Sequence, residues 1–246
     1  YEKYATGYGE YNYANAAKWR EDNVTKLVQA VSNAVTDINN ANNRSIQFGI
    51  SPFGIWAHSA EYEEGSVTPI GSTSSLRDQF ANTRKWVKDG LVDYLTPQIY
   101  WAFNTAAAPY GELLQWWDSQ FNGVTDSHLY IGHPNYKYID ASWDNNFKNP
   151  YEIANQLRFN QKYENVKGSA FFSFDKLLTK TVLTQGDKFD VLNHSNTILK
   201  NDYFNLPANA PGKPWLDKIE TSPVSNPKYL INDNRIKLKW DDSNSD

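Results

Sequence analysis

The sequence of 246 residues predicts an α/β fold built on a parallel sheet, and three observations carry the prediction. Four strand-sized runs begin about 35 to 50 residues apart and each is followed by a helical pattern, the rhythm of βα units. The run Leu91–Trp101 (LVDYLTPQIYW) is apolar enough to be covered on both faces, as strands of parallel sheets are. The long loops follow the carboxyl ends of the strands, as in eight-stranded (β/α)8 TIM barrels, and no Gly-rich phosphate fingerprint supports a dinucleotide-binding sheet instead. About four βα units, the second half of such a barrel, are expected, followed by a short β segment.

Residues 1–14 show no periodicity and read as a loop. Asn15–Asn39 is a strong amphipathic pattern, with Val24, Leu27, Val28, Val31, Ala34, Val35 and Ile38 on one stripe. Such a crossover helix follows a strand, so the chain is expected to begin just after one. Ser45–Ile50 (SIQFGI) is the first strand, and its end runs on through Ser51–Trp56. The loop to Ser74 carries Glu61, Glu63 and Glu64, read as a solvated acidic loop with a substrate lid as the alternative. A single helix is expected over Ser75–Asp89 from Leu76, Phe80, Trp86 and Val87, with Ser75 and Asp78 at its start and Gly90 as its stop.

Beyond the central strand, Leu113, Leu114, Trp117 and Phe121 mark a helix over Tyr110–Phe121. His128–His133 (HLYIGH) is the third strand. The loop after it, Pro134–Asn149, holds Tyr136, Tyr138, Asp140, Trp143 and Asp144. Asn149 is placed as the cap of a helix starting at Pro150 and burying Ile153 and Leu157. Gly168–Phe174 (GSAFFSF) is the fourth strand, and 177–201 reads as irregular helix. Residues 1–205 thus form the barrel half and Leu206–Pro214, rich in Pro, an interdomain linker. Residues 215–246 offer a hairpin: Tyr229–Ile231, a turn at Asn232, Asp233 and Asn234, then Arg235–Trp240. Too few strands are present to close a sandwich, so this reads as the start of a β-sandwich or an appended hairpin.

A net charge of −4 with scattered basic residues leaves no electrostatic footprint for nucleic acid, and no apolar run reaches the ~20 residues of a membrane span. The absence of Cys excludes disulfides, thiolate metal sites and a Cys nucleophile, and no cofactor is indicated. Opening at Tyr1 without a signal peptide or initiator Met, the chain reads as a processed or excised segment. Aromatic residues reach 15%, and 27 residues are Asn, which hints at carbohydrate: sugar sites join stacking rings to neutral hydrogen-bonding groups. An aromatic core accounts for the same composition.

The runs FGISPFGIW (48–56), TRKWVKDGLVDYLTPQIYW (83–101), LYIGH (129–133) and GSAFFSF (168–174), with WREDNV (19–24) upstream, resemble the bacterial glycosyl-hydrolase-like family 10 over residues 10–205. The resemblance implies a TIM barrel, secreted or attached to the cell surface, concerned with glycan hydrolysis and in some members with cleaving peptidoglycan strands. PWLDKIETSPVS (214–225) is similar to the start of a fibronectin type III-like module. The family pattern also has four earlier strands with an Asp-Asp-Tyr motif ending the fourth, which this chain lacks. Ala57 and His58 depart from it too, where relatives carry basic or amide residues.

Glycoside hydrolysis needs two carboxyl groups about 5 to 9.5 Å apart. Of the four strand ends only the last carries one, Asp175, a weak catalytic candidate that also suits a helix cap. The catalytic carboxylates are therefore expected upstream of Tyr1, with this segment supplying a substrate-positioning wall. Trp56, Tyr100 and Trp101 are candidates for sugar stacking, with barrel-rim packing as the bland alternative. Gln98 is placed against a sugar hydroxyl or in a structural hydrogen bond. His133 is a candidate acid or hydroxyl ligand, or a satisfied structural histidine; no second His at ligand spacing supports a metal. Tyr136 shares its loop. Arg20 and Asn23, at the start of the first helix, are candidates to meet an active-site carboxylate, or form a surface ion pair and cap.

Two functional readings follow. One is a glycoside hydrolase acting on a bacterial cell-wall or related polysaccharide outside the cell; the other is a non-catalytic glycan-binding or cell-surface structural module. A purely structural domain would bury Trp56 and Trp101 against protein. Exposed barrel edges would favour self-association.

Overall fold

The computed structural model describes residues 3–139, 144–177, 187–216, 225–232 and 235–241. Asp140, Trp143, Asp233, Asn234 and residues 217–224 of the PWLDKIETSPVS stretch lie outside them. The chain divides into two units, Tyr1–Pro211 and Gly212–Asp246.

The first unit is mixed α/β, with four parallel strands in sequence order, consistent with part of a TIM barrel. They are β1 (Gly49–Ile50), β2 (Tyr94–Leu95), β3 (His128–His133) and β4 (Val166–Phe171). α1 (Tyr13–Asn42) precedes the sheet; α2 (Ser75–Gln79) and α3 (Thr83–Lys88) join β1 to β2. α4 (Tyr110–Gln120) and α5 (Glu152–Asn160) make the next two crossovers, and α6 (Asp187–Ile198) runs into a π-helical turn, Leu199–Tyr203.

β1 and β2 are shorter than the sequence predicts. Each is followed two residues on by a proline, Pro52 and Pro97, which brings no amide hydrogen to a ladder. Pairing resumes beyond them as single parallel bridges, Phe53 with Gln98 and Gln98 with Gly132, so Gln98 sits at the centre of the sheet's carboxyl edge. The register sets Tyr94 beside Gly49 and His128, and His133 beside Phe171. Side chains alternate between faces along a strand. Leu95, Leu129 and Ile131 consequently share the helix-covered face, wholly buried in one cluster with Leu113, Leu114 and Trp117 of α4 and Trp86 and Val87 of α3. Ile153 and Leu157 of α5 lead a second cluster with Tyr138, Phe147, Leu192 and Leu199.

The predicted helix Ser75–Asp89 is two short helices. Phe80 takes a left-handed conformation at φ 54°, ending α2, and the Asn82 side chain restarts the chain by accepting from the Lys85 amide. Asp78 reaches back to the Ser74 amide, making Ser74 the cap. α1 extends beyond its predicted ends because Asn12 caps it and Asn43, left-handed at φ 48°, stops it. It buries only part of its apolar stripe: Val28 is covered, whereas Leu27, Val31 and Ile38 are exposed. The cap expected at Asn149 forms one turn early, its side chain accepting from the Tyr151 amide, and α5 proper begins at Glu152.

In the second unit, β5 (Ser225–Asn232) and β6 (Arg235–Asp241) pair antiparallel, with Tyr229 opposite Leu238 and Ile231 opposite Ile236. Among the described residues no helix is long and apolar enough to cross a membrane, and no group of three or more His, Asp or Glu is placed to hold a metal ion.

Candidate functional site

The carboxyl ends of β2, β3 and β4 carry an aromatic cluster. Tyr100 stacks on Phe172 with ring centroids 6.4 Å apart, and Tyr136 meets both edge-on, at 6.1 Å from Tyr100 and 5.8 Å from Phe172. Phe172 is 59% exposed, so the cluster offers an open aromatic surface rather than a core. Its backbone is held from beneath. Lys137 donates to the Tyr100 carbonyl at 2.6 Å, Asn135 donates to the Ser173 carbonyl at 3.1 Å, and the Tyr136 amide donates to the Phe172 carbonyl at 3.2 Å. Burial, then the neighbouring Tyr136, pushes the Tyr100 phenol up to about 12, so it keeps its proton over any physiological range.

Gln98 is half-buried at the same edge, donating to the Ser51 carbonyl at 3.1 Å. Its side-chain oxygen Oε1 meets no donor among the described residues, which leaves it an acceptor. Asp175 follows the cluster on a 3-10 turn; it is exposed and in contact with Lys176 and the Ser173 hydroxyl. Lys176 first, then Ser173, holds its carboxyl below the usual range, which suits a carboxylate acceptor and not a proton donor at neutral pH.

The other sequence candidates lie elsewhere. His133 has no solvent exposure: it is stacked between Tyr110 and Phe171, with Nδ1 2.9 Å from Gln156 Oε1 and Nε2 3.0 Å from Ser169 Oγ. Burial pushes its imidazole down to about 4, so it is the satisfied structural histidine and touches no open surface. Trp101 is half-buried and packs edge-on against Phe53 at 5.5 Å. Trp56 is 4% exposed, stacked on Trp116 in the helical layer and donating to Asn82. Arg20 lies over the Phe80 ring at 5.2 Å, beside α2, and Asn23 is exposed one turn further along α1. Glu61 and Glu64 pair with Arg77 and Arg84, which anchors the acidic loop. The sequence reading missed Phe172, although it follows Ala170 at strand spacing and so shares that residue's exposed face.

A parallel sheet whose carboxyl edge presents aromatic rings beside an amide and a carboxylate carries them where parallel α/β folds place their ligand sites. The chain belongs to the Glycosyl hydrolase-like 10 family, whose model matches residues 1–153. It is 37% identical over 210 residues to Glycosyl hydrolase YngK of Bacillus subtilis (strain 168), a match covering 85% of this chain and 38% of that protein. It is 34% identical over 170 residues to Glycosyl hydrolase DigH of Escherichia coli (strain K12), covering 67% of this chain and 37% of that protein. The chain therefore spans less than two fifths of the length of these curated relatives.

Proposed function

We propose that this chain is the substrate-positioning wall of a glycoside hydrolase that acts on a bacterial cell-wall or related polysaccharide at the cell surface. The observation that carries the reading is the Tyr100, Tyr136 and Phe172 cluster beside Gln98. An aromatic face covers the C–H side of a pyranose ring while nearby amide and phenol groups take its hydroxyls. The names of the relatives support glycoside chemistry, and the bacterial cell wall is the polysaccharide this reading selects. The hairpin unit fits the beginning of a fibronectin type III-like module.

The test is release of reducing ends from purified peptidoglycan glycan strands by the full-length protein, beside its Tyr100→Ala and Gln98→Ala variants. Release lowered at least tenfold by either variant, with folding retained, supports the reading. Release unchanged by both removes the wall from the site. A non-catalytic glycan-binding module is the second reading, and the exposed Asp175 suits it, since Lys176 and Ser173 hold it as an acceptor rather than a proton donor. Glycan binding without release, in the full-length protein, decides for it.

A further inference from the structure

Two hollows lie on the helical layer, away from the strand-end cluster. One, about 260 Å³, is lined by Tyr13, Lys18, Glu21, Arg77 and Phe80 among others; the second, about 320 Å³, by Trp56, Glu64, Asn82 and Arg84 among others. Both include Glu21, Tyr62 and Leu76 in their walls, so they join into one groove between α1 and the α2–α3 segment. Its combined size falls in the ~300–1,000 Å³ range of small-ligand sites.

The groove is built, not incidental. Tyr62 rests against Trp56 at 6.2 Å, and Trp56 stacks on Trp116 at 5.7 Å with the rings only 16° from parallel. That stack is locked at both indole nitrogens: Trp56 donates to Asn82 and Trp116 to the Glu64 carbonyl. Asn82 in turn donates to Glu21 at 2.8 Å, tying α3 to α1. Two aromatic rings face outward from this frame, Tyr62 at 39% exposure and Tyr13 at 70%.

Most charges of the walls are paired locally. Arg84 pairs with Glu64 at 3.2 Å, Arg77 with Glu61 at 3.2 Å, and Lys18 with Glu21 at 3.5 Å. Lys85 likewise pairs with Asp89, so among the described residues an anionic ligand such as a phosphate or nucleotide would meet one lining cation outside these pairs, Lys88, and would otherwise have to displace carboxylates already seated. An uncharged ligand with flat C–H faces and many hydroxyls would meet exposed rings and fixed hydrogen-bonding groups at once.

We propose that the α1–α2–α3 groove is a second glycan-binding site for neutral oligosaccharide, outside the strand-end cluster, with Tyr13 and Tyr62 as its ring-stacking platforms. The proposal rests on the glycan reading above and adds a separate surface that would hold a long polysaccharide while the strand ends hold another stretch of it. Linking two weak sites raises retention on polymer far more than affinity for short fragments.

The experiment labels the tryptophans of the chain with 5-fluorotryptophan and titrates cellotetraose and chitotetraose while recording fluorine NMR. The Trp56 resonance, assigned with Trp56→Phe, reports on the groove, and the Trp101 resonance reports on the strand ends. The expected result is a saturable shift of Trp56 that persists in Tyr100→Ala and is weakened at least fivefold in Tyr13→Ala; Tyr13 is exposed enough for that variant to fold. A shift at Trp101 with Trp56 unmoved overturns the groove and leaves the strand-end reading standing. A shift at Trp56 alone supports the groove and counts against the strand ends. No shift at either by about 10 mM sugar overturns both.

Discussion

The Nδ1 of His133 lies 2.9 Å from Oε1 of Gln156, and neither side chain has any solvent exposure. The Gln156 amide nitrogen donates to Glu152 Oε1 at 3.2 Å and to the Trp101 carbonyl at 3.1 Å, both pure acceptors, so Oε1 must face the imidazole. His133 therefore carries its proton on Nδ1, and its Nε2 accepts from the Ser169 hydroxyl. Glu152 also accepts from the Phe103 amide at 3.0 Å. One buried polar chain thus runs from β4 through His133, Gln156 and Glu152 to the loop that follows Tyr100, and fixes the aromatic edge from behind.

That chain sets a pH dependence of stability. The His133 imidazole is held at about 4 in the fold and returns to ~6.5 in the unfolded chain. Above ~6.5 both states are neutral there and the residue adds no slope. Between ~6.5 and about 4 only the unfolded chain binds the proton, so stability falls with pH; below that the loss levels off, at roughly 3 kcal/mol in total. His133→Phe is expected to cost about 1–3 kcal/mol at neutral pH, through the orphaned Gln156 oxygen, and to flatten this slope. Urea unfolding followed by tryptophan fluorescence across that range checks it; an unflattened slope would show that other groups produce it.

Glu152 behaves in the opposite sense. Its burial raises the carboxyl pKa, against the lowering donors Phe103 and Gln156. A raised folded pKa gives stability present at acid pH and lost as pH rises through that value. Glu152→Gln keeps an oxygen for the Phe103 amide and removes the buried charge, so neutral-pH stability should hold or rise. Glu152→Ala should cost about 1–3 kcal/mol and speed hydrogen exchange of the Phe103 amide, the direct readout of a loosened loop.

Much of this was legible in the sequence, and the misses have physical causes. His128–His133 is a strand from end to end, with no proline inside it to interrupt the ladder, although its register against β4 shifts between Leu129 and Tyr130. The helix over Ser75–Asp89 reads continuously only if Leu76, Phe80, Trp86 and Val87 share one face, but the six-residue step from Phe80 to Trp86 does not fit a 3.6 period; the break at Phe80 was the signal. His133 has the same parity as Leu129 and Ile131, which places it on the helix-covered face, and Gln156 falls on the Ile153 and Leu157 stripe of α5. Strand parity alone would have assigned the pair to the interior. Trp56 lies six residues past β1, where no alternation rule applies, so its turn toward Trp116 was not readable.

Tyr100 and Trp101, adjacent in sequence, should separate in experiment. Trp101 packs on Phe53 and beneath Gly54, so Trp101→Ala is expected to cost about 3 kcal/mol of stability. Tyr100→Ala should cost less, about 1–2 kcal/mol, and should weaken glycan binding roughly tenfold through loss of a stacking ring. Paired thermal unfolding and affinity electrophoresis on the full-length protein distinguish them. Equal stability losses with equal binding losses would mean that both residues act only through the fold.

Gly54 is where the fold and the site are coupled most tightly. A methyl group on its Cα would stand 2.3 Å from the Gln98 carbonyl oxygen and 2.8 Å from the Trp101 ring, and the Gly54 carbonyl already accepts from Trp117 at 2.7 Å in the core. The backbone cannot retreat without breaking that last bond, so Gly54→Ala must push β2's end outward, carrying Gln98 with it. Overpacking of this kind costs about 1–3 kcal/mol. Because the displaced strand end leads directly to Tyr100, glycan affinity should fall along with stability, although Gly54 has no side chain to offer a ligand. Lowered stability with unchanged affinity at a temperature where the variant is fully folded would show that Gln98 and Tyr100 do not bind sugar.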